Sequence, residues 1–144
     1  MARGEGLGRV FNVVPAASGV TIPMSDCGAV TWITYEDDGS TILTLTELDS
    51  SGVESEQALA KIARVHKAPG TGGTWTKVTQ TAASTYDLSD DGTNDAVAYT
   101  LLATELSAGY DSAQVTVDGG ICIAIMHDLN IQRDPGNLAT NIVS

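Results

Sequence analysis

The sequence predicts a mostly β chain: a single antiparallel β-sandwich with at most one or two short helices and an extended arm at each end. Three observations carry this prediction. Runs rich in Val, Ile, Thr, Trp and Tyr recur along the chain between clusters of Gly, Asp and Ser. Helical spacing of apolar residues is confined to one central segment and one isolated turn. A length of 144 residues with 42% hydrophobic side chains suits one domain with a real core. The division that follows is an N-terminal arm over 1–15, a sandwich over 16–132 and a C-terminal tail over 133–144.

Taken in order, Met1 to Pro15 is punctuated by Gly and Arg and reads as an arm. Gly28 to Tyr35 is a β-branched and aromatic strand. Glu36-Asp37-Asp38-Gly39-Ser40 follows as an acidic turn, and Thr41 to Leu48 alternates, with Leu43, Leu45 and Glu47 on one face. Two β-prone runs about such a turn signal a hairpin. Ser55 to His66 places Leu59, Ile62, Ala63 and His66 at helical spacing, while its second half also alternates; a short helix or a helix-to-strand segment fits. Trp75 to Thr81, Ala96 to Leu102 and Ala113 to Val117 are further strands, with a single helical turn at Thr104-Glu105-Leu106-Ser107. Asp118-Gly119-Gly120 then turns the chain into Ile121 to His127, which makes the last two strands a pair. Asp134-Pro135-Gly136-Asn137-Leu138 opens a tail without periodicity.

Charge narrows the function. Eighteen acids against seven Lys and Arg give a net charge of −11. Phosphate binding depends on Lys and Arg, so nucleic acid and anionic lipid surfaces are poor partners. No run is long and apolar enough to span a membrane, and the start lacks the apolar core of a signal peptide, so a cytosolic origin is expected. Cys27 and Cys122 are too few and too far apart for a disulfide framework or a zinc site; Cys122, within Ile121-Cys122-Ile123-Ala124-Ile125-Met126, reads as a buried reduced thiol.

No catalytic constellation stands out. Asp87, Ser89 and Asp91 with Gly92 imitate the start of a calcium loop, yet the position that needs a bidentate Glu is Ala98, so a solvated Asp/Gly turn accounts for them. The Gly70–Gly73 cluster lacks the Lys-Ser/Thr of a phosphate-binding loop. No Gly-x-Ser-x-Gly motif occurs; His127-Asp128 could be half of an acid–base site, but a histidine closing a strand explains it equally simply. The chain is therefore expected to be no enzyme, with neither cofactor nor metal. Lys61, Arg64, His66, Lys67 and Lys77 gather most of the positive charge into one segment, either a docking patch for an acidic partner or a solvated strand edge. Trp32 and Trp75 read as core; an exposed tryptophan would become an interface anchor.

Leu106-Ser107-Ala108-Gly109-Tyr110-Asp111, Val115-Thr116-Val117-Asp118-Gly119-Gly120 and the run from His127 to Leu138 resemble small virion proteins of tailed phages, particularly the capsid decoration or head-stabilising (cement) proteins of phages of actinobacteria. Gly6 to Pro15 and Gly73 to Gln80 resemble the same group, so the likeness spans most of the chain. It departs at Asp111-Ser112-Ala113, where an aromatic residue is expected, and at Cys122. The resemblance implies a β-sandwich, made in the host cytoplasm, that coats the outside of an icosahedral capsid. It implies binding to the major capsid protein across subunit junctions and to neighbouring copies as a homo-oligomer. An acidic domain suits an outer surface, and arms suit wrapping over neighbours. The expected apolar contacts are Leu7, Val10, Phe11, Ile131, Leu138, Ile142 and Val143, with Arg3, Arg9 and Arg133 pairing with acids on a neighbour. The alternatives are another head or tail structural component, or a carbohydrate-binding β-sandwich that stacks sugar on Trp32, Tyr35 or Trp75.

Overall fold

The computed structural model describes residues 11–16, 19–35, 42–52, 54–69, 72–88 and 95–130. Its strands are β1 (Phe11–Pro15), β2 (Ile22–Pro23), β3 (Cys27–Tyr35), β4 (Ile42–Leu48), β5 (Gln57–Ala58), β6 (Ile62–Pro69), β7 (Thr76–Ala83), β8 (Thr85–Asp87), β9 (Asp95–Leu102), β10 (Ser112–Val117) and β11 (Ile121–Leu129). They form two antiparallel sheets packed face to face. The first has the order β1-β11-β3-β9-β6-β7; the second is β2-β10-β4-β5, with β8 also pairing β4. The β-sandwich is as the sequence predicts. The isolated helical turn is present too, as a 3-10 turn over Ala103–Glu105 whose Glu105 carboxylate accepts the Leu102 N–H at 2.8 Å.

Four local expectations are corrected. The acidic turn after Tyr35 does not close a hairpin: β3 pairs β11 and β9 in the first sheet, while β4 pairs β10 in the second. The Gly-rich turn after Val117 likewise leads from β10 in the second sheet to β11 in the first. Both edges of β3 and of β11 are occupied by other strands, so neither has a free side for its sequence neighbour. The helical option for Ser55–His66 gives way to β5 and β6, because β6 is held between β7 and β9. Tertiary pairing overrides a weak periodicity. Phe11–Pro15, assigned by sequence to the arm, is an edge strand paired to β11.

The core follows from alternation. Val30 and Trp32 on β3, Val97, Tyr99 and Leu101 on β9, and Cys122, Ala124 and Met126 on β11 face Leu43 and Leu45 on β4 and Val115 and Val117 on β10. Trp32 lies against Tyr99 with ring centroids 6.4 Å apart and planes 9° from parallel, and Ala124 is the cross-strand neighbour of Trp32. Glu47 continues the inward row of Leu43 and Leu45 and is fully buried. Its carboxylate accepts the Gln57 side-chain amide at 2.5 Å and the Ser107 N–H at 2.9 Å, which makes a charged group tolerable there. Cys27 and Cys122 are free and buried, and burial pushes their thiols up to about 11 and about 12.

Two predictions follow from these groups. Burial alone would raise the pKa of Asp111, but the Ser50 hydroxyl, the Ser50 N–H at 3.0 Å and the Ser112 hydroxyl at 2.9 Å all donate to its carboxylate and hold it below its ordinary 3.8. A depressed folded-state pKa contributes stability above the ordinary value, and this is lost as pH falls through the folded value. Asp111→Asn is therefore expected to lower the urea midpoint at neutral pH and to flatten its fall below pH ~4. Thiol labelling of the native protein should be slow at both cysteines and rapid once denaturant is added, because thiolate is scarce and access closed.

Candidate functional site

The outward face of the first sheet carries the unusual surface chemistry. Cross-strand register lays out Phe11–His127–Ala29–Leu102, then Val13–Ile125–Thr31–Thr100, then Pro15–Ile123–Ile33–Ala98–His66–Lys77. Ile121 is 62% exposed, Phe11 50% and Leu102 48%, and Val13 and Ile123 are exposed beside them. The β1–β11–β3 half of this face is thus apolar. The β6–β7 half carries the cations: Arg64 and Lys77 share the outward side with His66, and Lys61 leads into β6. All the Lys and Arg among the described residues lie on β6, on β7 or at Lys61. The sequence-predicted basic patch is therefore brought together, except that Lys67 falls on the opposite side of its strand and is half-buried.

A hydrogen-bonded row crosses this face from β11 over β3 to β9. Asp128 Oδ2 lies 3.2 Å from His127 Nδ1, His127 Nε2 lies 2.8 Å from Thr31 Oγ1, and Thr31 Oγ1 lies 2.7 Å from Thr100 Oγ1. The imidazole thus stands between Asp128 and Thr31, and Thr31 Oγ1 between the imidazole and Thr100. Asp128 has φ 51, a left-handed backbone rare for a side-chain-bearing residue. Gly28 lies opposite it, where a Cβ would meet Asp128 Cβ at 3.1 Å and its carbonyl oxygen at 3.2 Å, so the absence of a side chain permits this approach. The order hydroxyl–imidazole–carboxylate is that of an activated nucleophile. Here, however, the Thr31 hydroxyl is shared with Thr100, and Asp128 stands on open surface.

Beyond Thr100 the sheet opens. β6 and β9 pair from Pro69–Asp95 to His66–Ala98, and there the ladder stops, although β9 runs on to Leu102 and β6 begins at Ile62. A register shift between Ile62 and Arg64 marks the same place. The gap is a cleft of about 390 Å³ lined by Lys61, Arg64, His66, Tyr99, Thr100 and Glu105, with Ala63 and Leu102 as its apolar walls. Arg64, His66 and Thr100 come from the outward side of the sheet and Tyr99 from the inward side. Tyr99 is buried, and its hydroxyl has no hydrogen-bond partner; neither has the indole N–H of Trp32 against which it stacks. Burial first, and the nearby Glu105 carboxylate second, push the Tyr99 hydroxyl far above its ordinary value.

The remaining sequence-predicted residues divide simply. Phe11 is exposed on β1. Arg3, Leu7, Arg9, Val10, Ile131, Arg133, Leu138, Ile142 and Val143 lie outside the described residues. Trp32 is core as expected, but Trp75 is 46% exposed: it precedes edge strand β7, and among the described residues no element covers it. Asp87 ends β8 and Asp95 begins β9, with residues 89–94 undescribed; among the described residues no group of three His, Cys, Asp or Glu side chains could hold a metal. Sequence reasoning missed Thr31, Tyr99, Thr100 and Glu105. Threonine and tyrosine are ordinary strand residues, and nothing in their spacing signals that these four meet one cleft and one histidine. No described helix is long and apolar enough to cross a membrane. No protein-family model, curated protein or solved structure matches the chain.

The polar row and the orphan hydroxyl make opposite predictions for loss of an OH group. Thr31→Val removes the bonds to His127 Nε2 and Thr100 Oγ1, both of which water can reach, and should cost up to about 1 kcal/mol. Tyr99→Phe removes a buried group that has no partner, and should leave stability unchanged or raise it by up to about 1 kcal/mol. Urea unfolding of the two variants beside the parent protein checks both signs.

Proposed function

We propose that this chain is a non-enzymatic virion structural protein that decorates and stabilises the outer surface of a tailed-phage capsid. It does so by binding the major capsid protein across subunit junctions beside neighbouring copies of itself. The observation that carries the reading is the two-part outward face of the first sheet. An apolar surface made by Phe11, Val13, Ile121 and Ile123 stands beside a cationic strip in a chain whose net charge is −11. A contiguous exposed apolar area marks a surface that another protein covers. A local cluster of cations in an acidic protein gives docking its orientation, and it favours acidic groups on the partner. The resemblance of the sequence to phage decoration proteins names the partner.

The sugar-binding alternative has less support. Its stacking platform requires a row of exposed aromatics, whereas Trp32 is buried, Tyr35 is half-buried and Trp75 is exposed by itself on the lead-in to β7. The hydroxyl–imidazole–carboxylate order at Thr31, His127 and Asp128 supports structural anchoring better than nucleophilic catalysis. Its hydroxyl faces another hydroxyl, and no set of donors converges on a reacting oxygen beside it.

Co-sedimentation with shells of the major capsid protein from the genome that encodes this chain tests the proposal. The expected result is saturable binding at a stoichiometry set by the lattice, lowered at least about tenfold in affinity by Val13→Asp together with Ile121→Asp. Binding unaffected by this pair would reject the face, and no binding at all would reject decoration.

A further inference from the structure

We infer that the cleft between β6 and β9 is a binding site for a small organic anion bearing a carboxylate or phosphate group. Side chains from the two faces of a sheet cannot ordinarily line one cavity, because the ladder of backbone hydrogen bonds stands between them. Here they do, since the β6–β9 ladder stops at His66–Ala98 and the strands part. The opening of about 390 Å³ lies in the range that small-molecule sites occupy. Its interior end is made by Tyr99, whose buried hydroxyl can both donate and accept and does neither. Unsatisfied buried polar groups are rare in folded proteins, and this one belongs to a residue of the cleft lining.

The mouth selects the charge. Lys61 and Arg64 are exposed there with His66 beside them, against the single carboxylate of Glu105, one oxygen of which already accepts the Leu102 N–H. The cleft is therefore net cationic within a strongly acidic chain. Arg64 can hold an oxyanion through two parallel donors, and Lys61 contributes a compact second charge. Thr100, linked through Thr31 to His127 and Asp128, lies at the rim. Ala63 and Leu102 accommodate a short carbon chain between the oxyanion at the mouth and a polar atom at Tyr99. A small hydroxy- or dicarboxylic acid, or a short phosphate ester, has this layout. The site is separate from the apolar half of the face and does not depend on capsid binding.

The two tryptophans supply an internal control. Trp32 stacks on Tyr99 behind the cleft, and Trp75 is exposed outside its lining. In proton–nitrogen spectra of the full chain, citrate is expected to move the Trp32 indole signal and the amides of 61–66 and 99–105 saturably, leaving the Trp75 indole in place. Inorganic phosphate should move the mouth residues alone, and glycerol should move neither set. Arg64→Ala, at an exposed position, is expected to weaken citrate binding about tenfold or more. Tyr99→Phe should weaken it severalfold and abolish the response of the Trp32 indole. The inference is overturned by any one of three results: no saturable shift up to about 10 mM citrate, the same shifts with sodium chloride at matched ionic strength, or unchanged affinity in Arg64→Ala. The Val13→Asp, Ile121→Asp variant reads the decoration proposal separately: neither residue lines the cleft, so it is expected to lose capsid binding and keep citrate binding.

Discussion

The pairing of β3 with β11 is the constraint on which the rest of the molecule depends. It runs from Tyr35–Ile121 to Cys27–Leu129 through the middle of the first sheet, and β4–β10 runs beneath it in the second. Tyr35 lies opposite Ile121, and Leu43 opposite Val117, so the chain leaves β3 for β4 and β10 for β11 at the same end of the sandwich. Each of these connections joins the two sheets, and together they fix which strands are central. The other strands add to what these four leave open: β1 to the far edge of β11, β9 to β3, β2 to β10, and β5 and β8 to successive parts of β4.

That register also decides the surface. Ile121, Ile123 and Ile125 alternate along β11 with Cys122, Ala124 and Met126, and it is the second set that turns inward. The larger, branched side chains are thus outside. Trp32 explains the inversion: its indole fills the interior beside Ala124, so the inner row of β11 has room for smaller groups. A shift of one residue would place three isoleucines against Trp32 and expose the small set. The apolar outer face is therefore a consequence of filling the core around one tryptophan.

The other half of that face has a different origin. The β6–β9 ladder is incomplete, and the polar row Asp128–His127–Thr31–Thr100 leads across the sheet to the opening. An open ladder, an orphan hydroxyl and a cationic rim coincide at one place. Glu47 is answered by Gln57 and Ser107 and the Thr34 hydroxyl by the Val97 carbonyl, whereas the Trp32 indole N–H behind the cleft, like the Tyr99 hydroxyl, has no partner.

Much of this was legible in the sequence, and the limits have physical causes. β-branched and aromatic runs between Gly, Asp and Ser turns specify strands locally, so the positions of β3, β4, β7, β9, β10 and β11 and the sandwich class could be read directly. The gathering of Lys and Arg over 61–77 was likewise visible. A turn composition does not say whether the chain returns in the same sheet or crosses to the other one; that depends on which edges are already occupied, as the acidic turn after Tyr35 and the Gly-rich turn after Val117 both illustrate. Ser55–His66 could be helical until β7 and β9 held its second half. The facing of β11 was undetermined because both of its sides are apolar. By itself the sequence determined an acidic β-sandwich with one cationic segment. The tertiary structure decided which isoleucines face water and that Tyr99, Thr100 and Glu105 share a cleft with the cations, because volume around Trp32 and an unfinished ladder are properties of strands brought together.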